Sequence, residues 1–209
     1  MTGEPAGAYE EGALFEPDYP LETERLVLRP FREDDFEALY AIQSDPAVTR
    51  YLYWDPRTPD EVRESIQRKI RTSVARPGEP LSIAVTLRDD GALIGDCTLF
   101  WSSFEYRQGE IGFVFNPAFH GQGYATEAAR VLLELAFDGL RLHRVIGRLE
   151  ARNRASAALL ERLGMRCEAH LIENEYVKDE WQSELVYALL ESEWRAPLGA
   201  CRSCRPVRG

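Results

Sequence analysis

The segment His120-Gly121-Gln122-Gly123-Tyr124-Ala125-Thr126 joins an apolar run that stops at Asn116-Pro117 to a stretch of helical periodicity that starts near Tyr124. A glycine-bearing turn feeding a helix N-terminus leaves several backbone N–H groups without an acceptor, and such groups suit a phosphate. Gly121 and Gly123 let the backbone approach an anion without Cβ interference, and the helix macrodipole places partial positive charge at the same spot. The Thr126 hydroxyl adds a further donor. By itself Gly-x-Gly is a weak signal, because a glycine turn before a helix is more often only a turn. Two other phosphate motifs are excluded. A dinucleotide fingerprint asks for a third Gly or Ala where Thr126 stands, and belongs to an opening βαβ unit, whereas strands and a hairpin come first here. A nucleoside-triphosphate loop ends in Gly-Lys-Ser/Thr, a tripeptide that this chain does not contain.

Metal and nucleophile chemistry find less support. His120, His143 and His170 include no two at metal-ligand spacing, and neither a Ser-His-Asp order nor a Cys-His pair is evident, so no metal is expected. Cys201 and Cys204 look like half of a metal or redox site whose other half is missing, and they lie in a tail containing Pro, Gly and Arg.

Composition narrows the partners. The chain of 209 residues carries a formal net charge of −10, which argues against a nucleic-acid binder because phosphate neutralisation needs clustered Lys and Arg. An amine-bearing partner suits that balance better, although charge excess also serves solubility alone. The first twenty residues contain five acids (Glu4, Glu10, Glu11, Glu16, Asp18) and no Lys or Arg, unlike a signal peptide. No apolar run approaches the roughly 18–20 residues of a membrane helix. The expectation is a cytoplasmic protein with no membrane partner.

The elements that must position the glycine turn can be read in order. Residues 1–21 and 196–209 read as flexible arm and tail around one folded unit, 22–195. Arg25 to Pro30 alternates as a strand, and Phe36, Leu39, Tyr40 and Ile42 share a helical face. Thr58-Pro59-Asp60-Glu61 has the capping-box order and starts a helix bearing Val62, Ile66 and Ile70. The apolar segments 81–87 and 93–101 flank Asp89-Asp90-Gly91, a hairpin turn. A strand over 110–115, a helix over 124–140 and a strand over 143–151 make a βαβ crossover around the glycine turn. A short helix runs from Asn153 to a Gly164 cap, and 165–172 and 182–190 read as the last strands. Glu173, Asn174 and Glu175, in the segment before the last strand, could make an acidic rim for a cationic acceptor, although a solvated loop is the plainer reading.

In this setting the run from Gly112 through Asn116-Pro117 and His120 to Ala128 resembles the acyl-CoA signature of the GNAT acyltransferases. Their core pattern, Arg/Gln-x-x-Gly-x-Gly/Ala, reads here as His120 through Gly123 to Ala125. His120 in place of Arg or Gln is the departure. Thr23 to Pro30, Asn153 to Ser156, Leu163-Gly164-Met165 and Trp181 to Trp194 are similar to the branch containing the N-acetyltransferases of ribosomal-protein N-termini, and the likeness covers about 22–194.

That resemblance implies an α+β GNAT fold: a mixed, mostly antiparallel sheet of about six or seven strands, splayed at the acyl-CoA site and flanked by about four helices. It implies acetyl-CoA as co-substrate, an amine-bearing small molecule or protein N-terminus as acceptor, and a homodimer as a possible assembly. The backbone of Phe113, Val114 and Phe115 would take the pantetheine arm like an added strand, and residues 120–126 the pyrophosphate. Asn153 would contact the cofactor or serve as a helix N-cap, or both. Ser156 stands where related enzymes place a hydroxyl near the thioester sulfur, making it the candidate acid, with Tyr176 the second option. Glu110 would be the base, an alternative to a plain surface carboxylate. Two further readings stay open: a catalytically idle acyl-CoA-binding protein, and an enzyme using a larger donor such as succinyl-CoA.

Overall fold

The alternating segments gather into one sheet. The computed structural model describes residues 14–196. Its strands are β1 (Leu21–Glu22), β2 (Leu26–Arg29), β3 (Pro80–Leu87), β4 (Leu93–Ser103), β5 (Gln108–Phe115), β6 (Arg144–Glu150), β7 (Arg166–Val177) and β8 (Glu180–Leu190), in the order β1-β2-β3-β4-β5-β6-β8-β7. Neighbours are antiparallel except β5 with β6. A parallel pair needs a crossover. Helix α4 (Tyr124–Glu134), prolonged by a π-helical turn at Leu135–Gly139, supplies it.

The other helices among the described residues are α1 (Phe36–Gln43), α2 (Pro46–Thr49), α3 (Pro59–Arg71), α5 (Arg154–Arg162) and α6 (Glu191–Trp194). The α3 start is the capping box expected: the Thr58 hydroxyl accepts from the Glu61 N–H, and Glu61 accepts from the Thr58 N–H at 2.8 Å. Gly164, at φ +86°, closes α5 as expected.

Period-2 alternation gives the sheet two buried faces. Ile83, Cys97, Leu99, Ile111 and Phe115 join one core with Leu132, Ala136 and Leu160 of the α4 and α5 layer. Ala84 and Leu93, with Val114 packed on them, meet Leu39, Ile42, Val62 and Ile66 of α1 and α3. Successive residues of β5 therefore look alternately into the α4/α5 layer and into the α1/α3 layer.

Three features differ from the sequence-based expectation. Of the stretch 1–21, the described part is packed: Phe15 exchanges backbone hydrogen bonds with Ala75 at 3.1 and 2.8 Å, its ring fills the space over Gly139, and Leu21–Glu22 add an edge strand. Glu173, Asn174 and Glu175 lie within β7, not in a loop. The β7–β8 ladder shifts register between Leu171 and Glu175, with Glu173 at φ +46°, so charged residues pair around a bulge that hydropathy does not register. The turn is the two residues Lys178 and Asp179, both at positive φ. The short helices α2 and α6 have too few residues to show a period. The Cys201 and Cys204 tail lies outside the described residues. No described helix is long and apolar enough to cross a membrane.

Candidate active site

Strand β5 is bonded to β6 only where Gln108–Glu110 face Arg144–Ile146. Beyond that point the two part. β6 stays paired with β8 as far as Glu150 opposite Glu184, and Gly147 draws it onto α5: a Cβ there would lie 2.9 Å from Leu160. β5 remains on β4, with Ile111 to Phe115 opposite Leu99 to Gly95. The β6-facing edge of residues 111–115 is therefore open to an extended amide chain, because a strand edge carries donors and acceptors in the ladder pattern. Of the three residues to which the resemblance assigns the pantetheine arm, Phe113 and Phe115 turn their backbone groups to this edge, the Phe115 carbonyl meeting His120, whereas those of Val114 lie in the ladder with β4 opposite Asp96.

At the end of β5 the Asn116 side chain caps a short turn, and the chain reaches the two glycines. Gly121 has φ +76° and Gly123 φ +85°, a region that costs L-residues about 1–2 kcal/mol each. Gly123 is the N-cap of α4. The first helical bond there runs from the Glu127 N–H to the Gly123 carbonyl, 3.0 Å, so the N–H groups of Tyr124, Ala125 and Thr126 precede the intrahelical ladder. The turn thus has what a pyrophosphate requires. His120 ties the turn back to the end of β5: its Nε2 lies 3.1 Å from the Phe115 carbonyl.

The turn is held by a residue pair that the periodicity does not reveal. Arg25 donates to the Gln122 carbonyl at 2.9 Å and to the Glu127 carboxylate at 2.6–2.8 Å, and its guanidinium lies 4.6 Å from the Tyr124 ring centre. Glu127 also accepts from the Thr23 hydroxyl at 2.6 Å and the Arg25 N–H at 3.1 Å. Partial burial disfavours its charge, but the bonds from Thr23 and Arg25 prevail and hold its carboxyl below the usual glutamate range. A surface groove of about 970 Å³ runs beside this clamp between Leu21–Glu24 and α4, reaching Gly123, Thr126, Arg130 and Arg162.

Asn153 is an N-cap: its Oδ1 accepts from the Ser156 N–H at 3.1 Å. Ser156, half-buried in the first turn of α5, thereby has its backbone position set by Asn153. Glu110 sits at the apex of the splay. Its carboxylate accepts from Arg148 Nη2 at 2.9 Å and Nε at 3.2 Å, and this bond, more than any other influence, raises the Arg148 pKa. Nearby, the Tyr53 hydroxyl donates to Glu184 at 3.0 Å, tying the loop after α2 to β8, and Lys178 reaches the Thr49 carbonyl at 2.6 Å. Burial first, and then Glu184, push the Tyr53 phenol well above its ordinary pKa. Tyr176 is 60% exposed near the tip of the β7–β8 hairpin and edge-on to Trp181 at 5.4 Å. Arg25, Arg148, Tyr53 and Glu184 escaped sequence reasoning. Arg25 and Glu184 lay inside matched stretches, Thr23–Pro30 and Trp181–Trp194, whereas Tyr53 and Arg148 lay in none.

A sheet splayed after a short parallel contact, opening onto a glycine turn at a helix N-terminus, defines an acyl-CoA-dependent transferase. The sequence profile of the acetyltransferase (GNAT) domain matches residues 25–166, and the chain belongs to that family of N-acetyltransferases. It is 33% identical over 172 residues to a Bacillus subtilis protein described as the uncharacterized N-acetyltransferase YnaD, spanning 82% of this chain and 97% of that one. A putative ribosomal N-acetyltransferase of the same organism, YdaF, is 30% identical over 175 residues, 82% of this chain and 94% of its own. The crystal structure of a GNAT-family acetyltransferase from Bacillus anthracis superimposes with a TM-score of 0.75 at 31% identity, covering 82% of this chain and 98% of that one.

Proposed function

We propose that the protein transfers the acetyl group of acetyl-CoA to a primary amine by direct attack, the acceptor being a small molecule or a protein N-terminus. The observation that carries this reading is the open edge of Ile111 to Phe115 leading into the positive-φ glycine turn. The edge takes the pantetheine amides, the N–H groups at the start of α4 take the pyrophosphate, and the thioester lies at the apex of the splay beside Glu110.

An alkylamine is about three pKa units from neutral at pH 7, so its deprotonation costs roughly 4 kcal/mol. Glu110 accepts that proton as the nitrogen bonds to the thioester carbon. Arg148 fixes the direction of the carboxylate through both its oxygens, and a remaining lone pair receives the proton directly or through water. The backbone N–H of Phe113 or Phe115, each on the open edge, stabilises the oxyanion, an effect of about 3–4 kcal/mol in other acyl-transfer sites. As the C–S bond breaks, the Ser156 hydroxyl protonates the departing thiolate and is itself reprotonated from solvent. Tyr176, at the hairpin tip, is the weaker candidate for that step.

The experiment is release of free thiol from acetyl-CoA with alkylamines from ethylamine to hexylamine and with tetrapeptides beginning in Ala or Ser, read with mass-spectrometric detection of the acetylated product. Amine-dependent thiol release with a product heavier by one acetyl group is expected. Cofactor binding without turnover of any amine would instead leave an acyl-CoA-binding protein, and faster turnover of succinyl-CoA would change the donor.

A further inference from the structure

Four glycines interrupt the central strands: Gly95, Gly109, Gly112 and Gly147. Three are there for packing. A Cβ on Gly95 would lie 2.5 Å from the Phe115 ring, on Gly109 2.6 Å from Leu142, and on Gly147 2.9 Å from Leu160. Gly112 differs. Its φ lies outside the left-handed range, so any residue can adopt its backbone, and nothing stands within 4 Å of the place a Cβ would occupy. Glycine weakens a strand interior, and where neither backbone nor packing demands it, the remaining reason is the close approach of something outside the chain.

The direction of that approach follows from the pleat. Ile111 and Phe115 enter the core beneath α4, whereas Val114 packs against the α1 and α3 cluster. Gly112 shares the face of Val114 and of Glu110, two residues to either side. Its register partner is Thr98, which lies on the same face. The gap lies just past the last residue pair joining β5 to β6, where the strands have begun to part. The glycine turn belongs to α4, so a donor held there reaches the splay from one layer while Gly112 opens toward the other, beside the Glu110–Arg148 pair.

We infer that Gly112 is a specificity-determining position: the bay above it, bounded by Glu110, Val114 and Thr98, receives the carbon chain that bears the attacking amine. The inference rests on the proposed transfer to amines and names where the acceptor lies within that site. The missing side chain sets how bulky the acceptor can be next to its nitrogen.

The test is a graded series, Gly112→Ala and Gly112→Val, in the full-length protein, with KM measured for hexylamine and for the Ala-initiated tetrapeptide and coenzyme A affinity measured by calorimetry. The expected result is a rise in acceptor KM of a few-fold for Ala and at least tenfold for Val, with coenzyme A affinity within a factor of two of wild type. Since the bay is open to a side chain, Tm is unchanged or raised. A Tm lowered by several degrees in Gly112→Ala would mean that packing demands the glycine, and would overturn the inference. So would a loss of coenzyme A affinity with acceptor KM unmoved, which would assign the bay to the donor. Unchanged constants throughout, in an enzyme whose wild type turns these amines over, sink this inference alone, whereas a wild type inert toward both amines sinks the proposed function with it.

Discussion

Arg25 and Glu127 stand 102 residues apart in the chain, yet their side chains meet at 2.6 Å, and the same arginine donates to the Gln122 carbonyl at the cofactor turn. The pair binds the entry of β2 to the first turn of α4 and so holds the glycine turn in place. Glu127→Gln should weaken coenzyme A binding by about five- to tenfold, roughly 1–1.4 kcal/mol, the scale of a partly exposed charged hydrogen bond. Isothermal calorimetry at pH 7 reads this directly.

The same pair has a pH signature. The Glu127 carboxyl is depressed in the folded protein, so its contribution is complete above the unfolded glutamate value, about 4.3, and is lost as pH falls through the lower folded value. The Tm difference between wild type and Glu127→Gln should therefore be full at pH 6 and shrink below about pH 4. A difference that widens in acid would contradict the clamp.

At Gly123 a side chain meets two obstacles, a φ of +85° and Arg25 Nη2 at 3.4 Å. Gly123→Val should cost about 2 kcal/mol or more in the turn and lower Tm by about 4–8 °C, while reducing coenzyme A affinity at least a hundredfold. The affinity loss must exceed the stability loss if the turn is the binding element. Equal losses would make the glycine merely structural.

Asn153 and Ser156 divide their roles. Asn153→Ala removes the cap bond to the Ser156 N–H and should lower Tm by about 2–4 °C, the equivalent of about 1 kcal/mol. Asn153→Asp keeps the cap, so a fall in coenzyme A affinity with Tm intact would add cofactor contact to capping. Ser156→Ala should slow turnover with little change in coenzyme A affinity, and an unchanged rate would leave Ser156 no part in protonating the thiolate.

For Glu110, replacement by Gln preserves shape and removes the proton acceptor. A fall in kcat of about 10²–10⁴-fold is expected, with coenzyme A affinity unaltered. Activity within threefold of wild type would move the base elsewhere, Glu184 with its Tyr53 partner being the next carboxylate on that side of the sheet.

What was legible in the chain is local. The two glycines announce the turn because no other residue adopts φ near +80° cheaply, and Thr58 with Glu61 announces α3 because both halves of a capping box lie within four residues. Strand β5 and its neighbours follow from alternation. What was not legible depends on residues far apart: Tyr53 meets Glu184 across 131 positions, and Arg148 meets Glu110 across 38, so no window of sequence holds both partners. The bulge at Glu173 hid for another reason: its exposed residues look like loop, yet Leu171 and Glu175 on either side pair with β8 and the Glu173 N–H donates to the Ser183 hydroxyl. Gly112 was visible as part of a motif, but its meaning needed the empty space above it.

The central claim is that acyl-CoA lies along the open edge of β5 and against the glycine turn, and amide hydrogen exchange with and without acetyl-CoA tests it at those positions. Saturating acetyl-CoA should slow exchange across residues 111–115 and 121–126 together, with no comparable change in β7 or the hairpin tip at Tyr176. Protection confined to other segments, or none at millimolar acetyl-CoA, would contradict it.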